Sequence, residues 1–136
     1  MQLKQYATDR TLEEEGRVIQ LGEGSWIKIA RMNNRRMIEF MRKRTAPYGH
    51  RLDRMSNEER ERLTMEAVCA TVVLDWAGMM DGDKEIPHSP ENVKDVFTRY
   101  PDFFREVIEI AKEYQTFREA DREEDAGNSR ADSEPN

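Results

Sequence analysis

The chain predicts a mainly α-helical α+β domain, a small fold of about four helices around one long central helix with a β-hairpin near its N-terminus. Three observations carry that prediction. Two β-rich stretches, Val18-Ile19-Gln20-Leu21 and Trp26-Ile27-Lys28-Ile29, flank Gly22-Glu23-Gly24. Leu63, Ala67, Ala70, Leu74 and Ala77 recur at helical spacing and are joined from Ala67 onward by Val68, Val72, Val73 and Trp76. Ser56 and the pair Ser89-Pro90 stand where helices start. With 136 residues the chain fits one domain. The expected layout is a flexible N-terminus over residues 1–11, a single domain over 12–120 with the hairpin at about 16–32, and a disordered acidic tail over 121–136.

Each element follows from local chemistry. A three-residue loop at Gly22-Glu23-Gly24 sets Ile19 opposite Ile27, with Lys28 on the other face and Gly24 free to turn left-handed. Such a hairpin is marginal alone, so its apolar face must dock onto the helices. Asn33 and Asn34 can cap a short amphipathic helix carrying Met37, Phe40 and Met41, which Pro47 and Gly49 end. Ser56 and Glu59 have the capping-box spacing, and a helix from about Asn57 to Met79 follows. Its second half is apolar around nearly the whole circumference, which marks a central helix. Ser89 as cap with Pro90 behind it begins a helix bearing Val93, Val96, Phe97 and Tyr100. Pro101 interrupts it, and a last helix to about Ala120 buries Phe103, Phe104, Val107, Ile108, Ala111, Tyr114 and Phe117.

Composition narrows the function. Charged residues make up 37% of the chain and the net charge is −6. That total hides a segregation: residues 28–62 hold eleven basic and five acidic side chains. Such a pattern steers binding to an oppositely charged partner or lets copies of one chain attract head to tail. The overall acidity, and Glu58, Glu59 and Glu61 interleaved with Arg60 and Arg62, argue against nucleic acid and for intrahelical pairing. The first residues lack a signal-peptide core and no run is long enough to span a bilayer, so a soluble protein of the reducing cytosol is expected, without membrane association.

The sequence holds no GxSxG, Walker A, GxGxxG or CxxC motif. Asp81-Gly82-Asp83-Lys84-Glu85 begins like a calcium loop, but Ile86 stands where glycine is needed and Asn92 where a bidentate glutamate should close the shell. The reading is a polar turn, with Gly82 ending the long helix and Ile86 tucked onto the core. His50 and His88 lie in loops without the partner of a helical zinc site, and both are expected at the surface. Cys69, the single cysteine, sits among apolar residues and reads as a buried thiol. The expectation is a non-enzyme with no metal, cofactor or small-molecule substrate. Eight methionines are the remaining signal, because flexible, polarisable side chains suit a surface that accepts varied apolar partners. Met37, Phe40, Met41, Met79 and Met80 are the candidate partner-binding residues.

The stretch from Leu74 to Pro101, LDWAGMMDGDKEIPHSPENVKDVFTRYP, is the most informative. It joins a Trp-containing apolar segment to an acidic Gly-containing turn, then Ile86-Pro87-His88-Ser89 opening a helix, then an aromatic stop at Tyr100-Pro101. This order, with a hairpin upstream, resembles the tail assembly chaperones of long-tailed bacteriophages over roughly Glu15 to Ala120. The resemblance implies a non-catalytic protein that coats the hydrophobic tape measure protein, keeps it soluble, helps recruit tail tube protein and leaves before the virion matures. It also implies self-association and the host cytoplasm as compartment. A helical virion component such as a head–tail connector stays open as an alternative, as does a DNA-binding regulator using the basic segment.

Overall fold

The structure is a computed structural model, and it describes residues 1–121. The expected acidic tail from residue 122 onward lies outside the described residues. Asp9 caps α1 (Arg10–Glu15) by accepting from the Leu12 N–H at 3.0 Å. The backbone just before it is bonded to the C-terminal part of the described chain: the Asp9 N–H donates to the Phe117 carbonyl at 2.8 Å and the Glu119 N–H to the Ala7 carbonyl at 3.0 Å. Residues 7–9 are thus fixed by backbone bonds that no local sequence signal announces.

β1 (Arg17–Gly22) and β2 (Ser25–Ile29) form the expected antiparallel hairpin, with Ile19 opposite Ile27. Gly22 pairs with Ser25, which leaves Glu23 and Gly24 as the turn, and Gly24 takes φ +73° as its position demands. α2 (Arg35–Thr45) begins at Asn34 and runs into a 3₁₀ segment over Ala46–Arg54 that bends at Gly49. Ser56 then caps α3 (Asn57–Thr71), its hydroxyl accepting from the Glu59 N–H at 3.1 Å.

The long central helix is shorter than expected. α3 stops at Thr71, and Val73–Ala77 forms β3, which pairs antiparallel with β2 to complete a sheet of order β1-β2-β3. The β-branched run Thr71-Val72-Val73 weakens the helix at this point, and the Thr71 hydroxyl donates back to the Ala67 carbonyl at 2.7 Å. As a strand the same residues gain hydrogen bonds from β2 and sort by face. Val73 and Trp76 turn to the core opposite Ile29 and Ile27, while Asp75 sits opposite Lys28 on the outer face. In a helix Asp75 would have interrupted an otherwise apolar girdle. Gly82, expected to end that helix, instead takes φ +63° in the turn between β4 (Met80–Asp81) and β5 (Lys84–Glu85).

α4 (Pro90–Arg99) starts as read, with the Ser89 hydroxyl accepting from the Asn92 N–H at 3.0 Å. α5 (Pro101–Lys112) follows at the Tyr100-Pro101 elbow but ends eight residues before Ala120. Beyond it, Tyr114–Phe117 is a 3₁₀ turn that still delivers Phe117 fully buried, so the apolar pattern marked burial correctly and helix length wrongly.

Asn34 joins two of these elements. Its side-chain oxygen accepts from the Met37 N–H at 3.0 Å and caps α2, while its amide nitrogen donates to the Arg31 carbonyl at 2.8 Å and to the Thr71 carbonyl at 3.0 Å. The end of α3 is also held by the Ala30 N–H, which donates to the Val72 carbonyl at 2.8 Å. Helix-terminal carbonyls need such partners when they are buried. The core gathers where these pieces meet: Ile27, Ile29, Val68, Val72, Val73, Val93, Phe97 and Val107 are all at most 1% exposed. Phe97 touches both Phe103 and Phe104 across the α4–α5 elbow, with ring centroids 5.8 and 4.9 Å away.

Candidate partner-binding groove

An open groove of about 600 Å³ lies between the β4–β5 hairpin and the α4–α5 elbow. Its apolar lining comes from Met79, Met80, Ile86, Val96, Tyr100 and Phe103. Three local devices build it. Trp76, buried in β3, donates its indole N–H to the Ile86 carbonyl at 2.9 Å, and the Ile86 N–H donates to the Met79 carbonyl at 2.7 Å. These bonds hold the short hairpin against the sheet. The helix break at Tyr100-Pro101 then turns α5 away from α4 and exposes the opposite wall.

The rim is polar. Arg99 makes ion pairs with Asp81 at 2.7 Å and with Asp95 at 3.0 Å, so a cation on α4 reaches across to the hairpin. The Arg99 hydrogen bond to Asp81 holds that carboxyl below its ordinary value of 3.8, and the same bond raises the guanidinium above its ordinary value. Both groups are solvated, so the clasp orients the rim more than it stabilises the fold. The Tyr100 hydroxyl adds a longer contact to Asp81 at 3.4 Å, and Arg99 lies over the Tyr100 ring, 5.4 Å from its centroid.

The candidate residues separate into two places. Met79 and Met80 line the groove, and Met80 is 57% exposed. Met37 faces inward at 4% exposure, with its sulfur accepting from the Asn33 N–H at 3.3 Å, so it belongs to the core and has no surface to offer. Phe40 and Met41 are half-buried against the same core, and the Arg44 guanidinium covers the Phe40 ring at 4.9 Å. Val96, Tyr100 and Phe103 complete the groove without having been singled out as partner residues. Their signal was the aromatic stop at Tyr100-Pro101, which places a helix end and apolar rings at one exposed bend.

Two other residues gain definite roles. His88 was expected at the surface, but it is half-buried: its Nε2 lies 3.1 Å from the Val73 carbonyl and its ring meets Trp76 edge-on at 5.7 Å. A carbonyl accepts only, so Nε2 carries a proton in this arrangement. His88 thereby closes the outer edge of β3, whereas His50 is exposed. Cys69 is buried as expected, and burial pushes its thiol up to about 11. A second concavity, lined by Arg10, Glu14, Arg35, Arg36, Ile38 and Leu74 among others, is larger at about 1120 Å³ but mostly charged. Among the described residues no cluster of three or more His, Cys, Asp or Glu is placed to hold a metal ion, and no helix is long and apolar enough to cross a membrane.

Residues 29–128 match the family model of the YdaY prophage protein. The chain belongs to the YdaY prophage protein family. It is therefore phage-derived, and the matched span contains β3, the hairpin and the whole groove. No curated protein and no solved structure matches it.

Proposed function

We propose that this YdaY-family protein is a phage tail assembly chaperone that holds apolar segments of the tape measure protein in the groove between the β4–β5 hairpin and the α4–α5 elbow. The observation that supports the reading is a coincidence: all of the groove's lining residues except Asp102 and Phe103 come from the Leu74–Pro101 stretch on which the resemblance to tail chaperones rests. Methionines on one wall and aromatic rings on the other suit a client that presents many similar but non-identical apolar faces. The groove is open and shallow, which fits modest affinity per site and retention through many copies on one long client. Release at tail completion then needs no chemical step. Recruitment of tail tube protein belongs to the same reading.

Co-expression with a fragment of a phage tape measure protein tests the idea. The fragment should stay in the soluble fraction with the wild-type chain. Met80→Asp with Phe103→Asp should abolish that gain while both single-site neighbours Asp83→Asn and Lys84→Gln retain it. No increase in soluble fragment with the wild type would remove the reading. Detection of the protein as a stoichiometric part of purified virions would favour a head–tail component instead.

A further inference from the structure

We propose that α2 and α5 are the two halves of a single contact between copies of this chain, the basic outer face of α2 in one copy receiving the acidic outer face of α5 in the next. The occupant of the α2 surface is thus a second copy. The argument starts from charge. α2 carries Arg35, Arg36, Arg42, Lys43 and Arg44 with Glu39 as its one carboxylate, and all six side chains are exposed. Glu39 is engaged within the helix by Arg42 and Lys43, at 2.6 and 3.9 Å. Among the described residues no carboxylate pairs with the Arg35 side chain, and Arg36 donates to the Glu14 carbonyl.

The complementary surface is on α5 and its C-cap. Asp102, Glu106, Glu109 and Glu113 are exposed and spaced by four, three and four residues, which puts them in one stripe opposite the buried Val107 and Ala111. Asp102 pairs with Arg105, while no ion pair among the described residues engages Glu106 or Glu109. The two surfaces match in length: α2 has 11 residues and α5 has 12, about 16–18 Å each at 1.5 Å per residue. No ion pair among the described residues joins α2 to α5 within the molecule; Glu39 and Glu66 engage Arg42, Lys43 and Arg44, and Arg105 engages Asp102, so Arg35, Arg36, Glu106 and Glu109 are the charges these pairs leave for the contact.

Charge alone gives weak surface pairs, and an apolar centre is needed. Ile38 supplies it: it is 59% exposed and lies on the α2 surface between Arg35 and Arg42. Because the two faces are different surfaces of one chain, the contact is heterologous and repeats from copy to copy into a ring or an open row. This goes beyond the client reading and does not rest on the groove, so either can fail alone.

Sedimentation velocity of the full chain, at about 50 mM and about 500 mM salt, tests it because screening of exposed charges strengthens across that range. The expected result is concentration-dependent association at low salt that weakens at least about tenfold at high salt. Arg35→Glu with Lys43→Glu should give a monomer at low salt, and so should Glu106→Arg with Glu109→Arg. Mixing the two variants should restore association, since each then offers the face the other lacks, a rescue that misfolding would not produce. A wild-type monomer at low salt, association indifferent to salt, or mixed variants that stay apart would each overturn the proposal.

Discussion

The described residues form two antiparallel hairpins, and they are built on opposite terms. β1–β2 has a core face, Ile19, Ile27 and Ile29, a third strand along β2, and helices beneath it. β4–β5 is four residues long, all four exposed, and is held by the Ile86–Met79 backbone bond, the Trp76 indole and the Asp81–Arg99 clasp. An isolated hairpin has little stability of its own, so what decides its rigidity is the apolar area it covers. The first hairpin is therefore framework. The second is an exposed rim beside the groove.

That contrast can be broken from the framework side with the largest effect. Val72 is fully buried where α3 meets β3, and Val72→Asp should lower stability by more than about 4 kcal/mol, enough to unfold a domain of ordinary marginal stability. Circular dichroism and thermal unfolding would read it, and an unchanged melting temperature would refute the core described here. Gly78 lies between β3 and β4 with φ +72°, and a Cβ there would collide with the Gly24 carbonyl oxygen of the β1–β2 turn. Gly78→Ala should cost about 2–4 kcal/mol in denaturant melts, since both the backbone conformation and the space are wrong for it.

Asn34→Asp is a subtler probe. The variant keeps the α2 cap but removes the amide donors and turns a carboxylate toward the Arg31 and Thr71 carbonyls, at an expected cost of about 2–3 kcal/mol. A stability equal to wild type would mean that the amide bonds do not hold α3. On the rim the effects should be small. Asp81→Asn should leave the melting temperature essentially unchanged, while altering the NMR signals of the hairpin. The pH dependence has a definite sign. Asp81 has a depressed folded value, so its clasp to Arg99 is fully present above the ordinary carboxylate value of 3.8 and is lost as pH falls through the lower, folded one. Acid titration followed at Arg99 and Tyr100 should show the rim loosening in that window; loosening already at neutral pH would contradict it.

The same contrast explains what could be read from the sequence. Signals confined to a few residues were legible: the Ile19–Ile27 register, the caps at Asn34, Ser56 and Ser89, and the break at Pro101 all appear where read. β3 was not, because a strand at Val73–Ala77 depends on a partner at Trp26–Ile29, far back in the chain, while its local pattern suits a helix as well. Asp75, opposite Lys28, was the one local discord. Of the candidate contacts, Met79 and Met80 reach the groove because they follow the sheet, whereas Met37 obeys the helical period and turns inward. Periodicity distinguishes faces, but not which face another element will cover.

The single amide of Asn34 has a further consequence for how the chain folds. It closes the start of α2 and the end of α3 across 37 residues, so neither terminus can fray without releasing the other. The two helices are thereby fused into one cooperative unit, and amide protons at Met37 and Val72 should exchange with solvent through a common opening event.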